Sequence, residues 1–388
     1  MESRLTAPRA ASALIAAAAA GLSAILAAAA PACRPARPNL APRPEALGFP
    51  LMEAGALRFE GTANRPVRAR YGELYFTTDE GALYDVDVLS RRVLWTFKAE
   101  APVPAPPELS EDSVVIRDAR DTIYILDSGG KLTFRGAAAG PVTTAVRAHG
   151  ARLHYGCGDG RIVAVGLPDG RPAWEHRAGS AVLSGPVASG GLVLFGTEDG
   201  RLVALDGSSG RPAWTFAARG AIRVDPRAAD GGVFFGTAEG YFYGLAAATG
   251  KKRWAFRLAG APVAAPVASG RRLLVVASDS VLYCLSARSG EILWWQGVPS
   301  RAVHAPSVAD GLVLASAFSP DVSAYDLRNG FPSGACRAGG DVQSGALWVT
   351  PYLVLIEPDQ DRGGQKVVFL ERDRRPVETL GQANTVRR

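Results

Sequence analysis

The chain is poor in the side chains that carry most metal and redox chemistry. Its 388 residues include only four cysteines, four histidines and two methionines. Cys33, Cys157, Cys284 and Cys336 form no CxxC pair, so their spacing signals neither zinc nor a redox dithiol. His149, His154, His176 and His304 are dispersed, with no HxH or HExxH pattern, and His154 reads as strand packing. No GxSxG elbow is present and no glycine-rich loop leads into a helix, which excludes the usual signals of acyl transfer and nucleotide binding. A large excess of one charge is also missing. Lys and Arg number 43 against 37 Asp and Glu, for a net charge of +6, and arginine is scattered through the chain. A nucleic-acid binder gathers its basic residues on one face, so no nucleic-acid partner is expected. Hydrophobic residues make up 47%, which excludes wholesale disorder.

The N-terminus has the composition of an export signal. Arg4 and Arg9 precede an alanine-rich apolar run over 14–30, followed by Ala30-Pro31-Ala32-Cys33. Residues 1–32 are therefore read as a signal peptide, and Cys33 as the lipidated first residue of a bacterial lipobox. Ordinary cleavage with Cys33 as a bystander, or an uncleaved anchor, are the alternatives. A Pro-rich stretch follows, so 33–54 is read as a semi-rigid linker. The folded body is placed at 55–382 and a short tail at 383–388.

What is abundant is glycine, 44 residues, and it is periodic. Trp174, Trp214, Trp254 and Trp294 are spaced by 40, as are Gly170, Gly210, Gly250 and Gly290, and Pro186, Pro226, Pro266 and Pro306. Several residue types sharing one register mark a repeat architecture. In the unit that starts at Gly191, the runs 192–195 and 202–205 flank the turn 197–200. A second turn spans 206–210, and a third strand carries Trp214. A segment around Pro226 supplies a fourth strand, which is the composition of a propeller blade. Following the pattern outward gives eight units, with Trp95 and Phe134 at the tryptophan position of the first two. The seventh unit loses the aromatic near Ser333, and the eighth keeps only its strands. The fold expected is all-β: an eight-bladed β-propeller of four-stranded antiparallel blades, with seven blades as the alternative. Either 56–61 or 376–380 would complete the last blade and close the ring. Cys157 and Cys284 fall in strands and read as buried free thiols. Asp159, Asp199 and Asp279 read as turn-formers.

The turn-and-tryptophan element Asp206-Gly207-Ser208-Ser209-Gly210-Arg211-Pro212-Ala213-Trp214 recurs as Thr249-Gly250-Lys251-Lys252-Arg253-Trp254 and Ser289-Gly290-Glu291-Ile292-Leu293-Trp294. It resembles the tryptophan-docking repeat of the quinoprotein-like (PQQ-like) β-propellers, over roughly residues 56–380. The resemblance implies structural roles for Trp95, Trp174, Trp214, Trp254 and Trp294, each packed between blades with its N–H on a backbone carbonyl. One branch of that superfamily binds pyrroloquinoline quinone and calcium, commonly beneath a Cys-Cys pair. This chain has no such dipeptide, and only Asn64 and Asn329 as asparagines between linker and tail. The other branch is smaller, exported and non-catalytic, and is similar to the propeller lipoprotein of the outer-membrane β-barrel assembly machinery. That likeness implies no cofactor and no catalytic or metal residues. It also implies a periplasmic protein anchored to the outer membrane through Cys33, with envelope proteins as partners and a monomeric state; a small-molecule- or polysaccharide-binding propeller is the alternative function. The interrupted hairpins at Ser319-Pro320-Asp321 and Arg362-Gly363-Gly364 are candidate recognition loops.

Overall fold

The structure is a computed structural model that describes residues 51–298, 304–317, 319–342 and 344–372. Every described element is a strand, and the strands form eight four-stranded antiparallel sheets arranged as the blades of one ring. Blade 4 shows why the repeat folds this way. Its strands are Val182–Ser189, Leu192–Thr197, Arg201–Asp206 and Pro212–Ala217, paired in that order from the channel outward. The two central strands are almost wholly apolar and buried, as expected where neighbouring blades cover both faces. The outer strand alternates exposed and half-buried residues. Thr197 Oγ1 closes the hairpin between the central strands by accepting from Arg201 N at 2.9 Å.

The ring has no single core. Among the described residues eight buried clusters are present, and each joins two adjacent blades; Leu194, Leu202 and Ala204 of blade 4, for example, pack on Val233, Phe235 and Leu245 of blade 5. Cys157 and Cys284 lie buried in two of them as free thiols, pushed by desolvation up to about 11 and about 12.

Above six of the eight clusters the aromatic of one outer strand docks on the next blade's turn. The indole N–H groups of Trp95, Trp174, Trp214, Trp254 and Trp294 donate to the carbonyls of Ser128, Gly207, Ala247, Ala287 and Leu327 at 3.0–3.1 Å. The turn glycine lies flat against the ring: a Cβ on Gly250 would sit 2.5 Å from Trp214, and one on Gly290 would sit 2.6 Å from Trp254. Those glycines also hold φ of +68° and +75°, which L-residues rarely adopt. Both demands fall on the same position, so the repeat keeps glycine there.

The ring closes with a strand from the other end of the chain. Blade 8 is built from Leu347–Val349, Tyr352–Pro358 and Gln365–Arg372, with Leu51–Phe59 as its outer strand. Of the two candidate closing segments, 56–61 contributes the paired strand; 376–380 lies outside the described residues. The closing strand starts at Leu51, inside the stretch that composition assigns to the linker, because proline ends at Pro50 and nothing then prevents ladder pairing. This topology accounts for the missing aromatic of blade 7. Gly334 occupies its position opposite Ala324, and blade 8 has no hairpin between its third and outer strands on which a ring could dock.

Candidate functional site

The five tryptophans hold the blade joints, as described above. Cys33 lies outside the described residues. Candidate binding features are instead the channel and the two rims.

The channel is a cavity of about 660 Å³ lined by all eight blades. The first residues of the inner strands occupy equivalent register positions: Arg68, Glu108, Arg147, Arg227, Val267, Ser307 and Leu347, with Val187 in blade 4. Charge is therefore confined to blades 1, 2, 3 and 5. Arg147 bridges Glu108 at 2.8 Å and Asp225 at 3.5 Å. The remaining oxygen of Glu108 accepts from Ala148 N at 3.1 Å, and that of Asp225 from Gly185 N at 2.9 Å. A hard cation needs six to eight converging oxygens. Here two carboxylates converge, and each is already committed to a guanidinium and an amide. Calcium, and the quinone held above it in the catalytic branch, do not fit these residues.

His154, beside the channel, is 1% exposed and faces the Gly207 carbonyl at 3.3 Å. Desolvation lowers its pKa to about 4, so it is neutral and its Nε2–H donates. It packs 5.5 Å from the Trp174 ring, as a strand residue rather than a ligand.

Asp85 is less expected. It faces Trp95 across the ladder, where Ala164, Ala204 and Gly244 face the equivalent tryptophans. It is fully buried, and neither carboxylate oxygen has a hydrogen-bond partner. Burial, followed by the charge of Glu73, pushes its pKa up to about 7.

The rim formed by the inner hairpins carries the most exposed apolar surface. These hairpins turn on two residues, and Asp230-Gly231 and Asp310-Gly311 both have φ above zero, as type I′ turns require. Blade 1 has Tyr71-Gly72 in the same turn, with Tyr71 at φ +52° and 84% exposed. A side chain there costs about 1 kcal/mol, yet the ring stands in solvent. Leu89, 66% exposed, is brought beside it because Val88 N donates to Gly72 O at 3.0 Å. Leu94, 52% exposed, extends the patch along the outer strand. Next to this patch a groove of about 950 Å³ crosses blades 1 to 3, lined by Tyr71, Leu109, His149, Leu167 and Pro168. Its wall is rigid, since Arg70 donates to the carbonyls of Ser110, Glu111 and Ser113 and covers the Tyr71 ring at 5.9 Å. Exposed Glu111 and Asp112 give the groove an acidic lip.

The loops at Ser319–Asp321 and 362–364 join the second and third strands of blades 7 and 8, so they lie on the opposite rim. Ser319 Oγ caps Asp321 N at 3.1 Å, and Asp359 pairs with Arg58 at 2.5 Å. These contacts tie the loops to their own blades and do not bring them to the groove. Tyr71 was open to sequence reading, as the one aromatic at a turn position held in blades 3 to 7 by Gly or Asp.

Eight blades, tryptophan docking and a ring sealed by the first strand define a PQQ-like β-propeller. Within that class, the chain belongs to the family described as outer membrane protein assembly factor BamB, whose model matches residues 52–156, 158–265 and 255–332. Among solved structures, BamB from Moraxella catarrhalis is similar at 16% identity and a TM-score of 0.69, covering 83% of this chain and 99% of that one. The computationally designed protein Ika8 reaches 0.71 at 16% identity over 82% and 99%. The quinohemoprotein alcohol dehydrogenase of Comamonas testosteroni reaches 0.64 at 12% identity over 83% and 76%. At these identities the structures share the fold. No curated protein matches the sequence.

Proposed function

We propose that the protein is a non-catalytic, exported scaffold that assists outer-membrane protein assembly by docking an envelope protein on the rim of blades 1 to 3. The observation that carries this reading is Tyr71, a fully presented aromatic held in a turn conformation that favours Gly or Asp, beside Leu89 and an acidic groove. Exposed aromatic anchors on a rigid frame are the usual energetic centre of a protein interface. The acidic lip selects a partner segment with basic and apolar residues. The family's description as an assembly factor points to the β-barrel assembly machinery as that partner. In this reading the mature protein is a periplasmic monomer held at the outer membrane by a lipid on Cys33. The N-terminal sequence supports this with its Ala30-Pro31-Ala32-Cys33 element, and Arg34 after the cysteine carries no inner-membrane retention signal.

The test is affinity capture from solubilised envelope with wild type, Y71A/L89A and C33A. Wild type is expected to be membrane-bound and to retain barrel-assembly proteins. Y71A/L89A should lose them while staying folded, and C33A should be soluble. Equal capture by wild type and Y71A/L89A would overturn the docking site, and a soluble wild type would overturn the anchor.

A further inference from the structure

The same rim carries a different surface on blades 5 and 6. Several arginines of this ring are neutralised by a nearby turn acid: Arg161 pairs with Asp159, Arg171 with Asp169, Arg201 with Asp199 and Arg328 with Asp326, at 2.7–3.4 Å. Blades 5 and 6 break that pattern. Where blades 1, 2, 4 and 7 start the outer turn with Asp87, Asp127, Asp206 and Asp326, blades 5 and 6 have Ala246 and Ser286. The lost acids are matched by gained cations. Arg253 is the second residue of the outer strand of blade 5, Arg271 sits in the inner hairpin of blade 6, and Arg288 sits in its outer turn.

Arg253, Arg271 and Arg288 converge on one cavity of about 670 Å³ floored by Phe234. All three are exposed, and none forms an ion pair among the described residues. Arg253 is anchored by donating to Gly231 O at 3.0 Å, which aims its guanidinium along the cavity wall. Asp230 is the one acid in the lining, and the exposed Lys251 and Lys252 precede Arg253 in the chain. Three guanidiniums on separate segments, held apart on rigid hairpins, match an anion that presents several oxygens in different directions. A phosphate does so, whereas a carboxylate offers two oxygens in one plane.

We infer that the Arg253–Arg271–Arg288 cavity is a binding site for a phosphate-bearing group. The inference is independent of the docking proposed on blades 1 to 3 and shares no residue with it. The group could be carried by a soluble phosphate ester or by a lipid headgroup, and both present the same chemistry to the arginines.

The test uses the soluble full-length chain carrying C33A, with far-UV spectra and thermal unfolding as checks on folding. Inorganic pyrophosphate is titrated calorimetrically at low salt into wild-type cavity, R271E/R288E, the milder R288Q, and R171E as a charge control in blade 3. Saturable binding is expected, weakened about tenfold or more in R271E/R288E, less in R288Q, and unchanged in R171E. Co-sedimentation with phosphatidylcholine vesicles, with and without phosphatidic acid, then assigns the source. Retention on phosphatidic acid that R271E/R288E abolishes identifies a headgroup site, and pyrophosphate binding without retention identifies a soluble ester. Absence of saturable binding, equal loss in R171E, or equally tight binding of polyglutamate would overturn the inference.

Discussion

Arg91 and Gly55 meet at the seam of the ring in an arrangement that inverts the six aromatic joints. Gly55 occupies the register position of the docking tryptophans, opposite Phe369, and Arg91 occupies the turn position of the docking glycines. The long side chain has moved from the strand to the turn. Its Nη1 donates to Ala54 O at 2.6 Å, and the guanidinium lies 6.0 Å from the Tyr352 ring. Arg91 is therefore expected to clamp the closing strand. R91A should lower stability by about 1–2 kcal/mol in urea denaturation, with faster amide exchange confined to residues 51–59. Exchange that speeds uniformly around the ring would contradict a clamp.

The ordinary joints predict a contrast between two glycine substitutions. Gly250 has φ +68° and a ring 2.5 Å from any added Cβ, whereas Gly150 has φ +58° and nothing within 4 Å. G150A should cost only the backbone strain, about 1–2 kcal/mol. G250A adds the displacement of Trp214 from its bond to Ala247 O, and should cost at least about 2 kcal/mol more. Equal losses in thermal or urea unfolding would mean the ring contact contributes nothing.

Asp85 and His154 give the protein two opposed responses to pH. Asp85 has a folded pKa near 7, above its ordinary value of 3.8, so its contribution is fully present in acid and lost as pH rises through 7. His154 has a folded pKa near 4, below its ordinary value of 6.5, so its contribution is present at neutral pH and lost as pH falls toward 4. Between about 4 and 6.5 the two slopes partly cancel. D85A should therefore unmask stability that rises with pH over this window, and H154L stability that falls with it. Urea midpoints at pH 4.5, 5.5 and 6.5 decide the matter, and parallel profiles for the two variants would refute the assignment. Above pH 7, D85A should also be more stable than wild type by about 1–3 kcal/mol, because an orphaned buried carboxylate is replaced by the alanine that other blades carry.

The docking face predicts a separation of stability from binding. Y71G removes the exposed ring and also relieves the left-handed backbone, so the variant should be at least as stable as wild type by thermal unfolding while losing capture of its partner. Loss of both properties together would show that Tyr71 supports the fold.

The sequence revealed blades, strand order and the docking tryptophans because each repeated residue answers to one local contact, and forty-residue spacing makes those contacts recur. Gly170, Gly210 and Gly250 were legible for that reason. The Arg91–Gly55 seam was not, since its partners are joined only by closure of the ring and each looks like a decayed repeat position. The arginine cavity was hidden in another way. Arg253, Arg271 and Arg288 come from three segments and look scattered along the chain, although the hairpins of adjacent blades bring them together. Asp85 escaped notice because a lone acid in a strand pattern carries no sign of whether its face is wet or dry.

Blade 8 pairs Leu57 with Val367 and Phe59 with Gln365, so during synthesis the first of the described strands waits for the last of them. Until that pairing forms, the cluster of Val67, Phe76, Ile356 and Phe369 at the seam has no outer cover. The ring thus acts as its own proofreader of completeness. A chain shortened before residue 365 retains most of its joints yet presents a raw apolar edge at the seam.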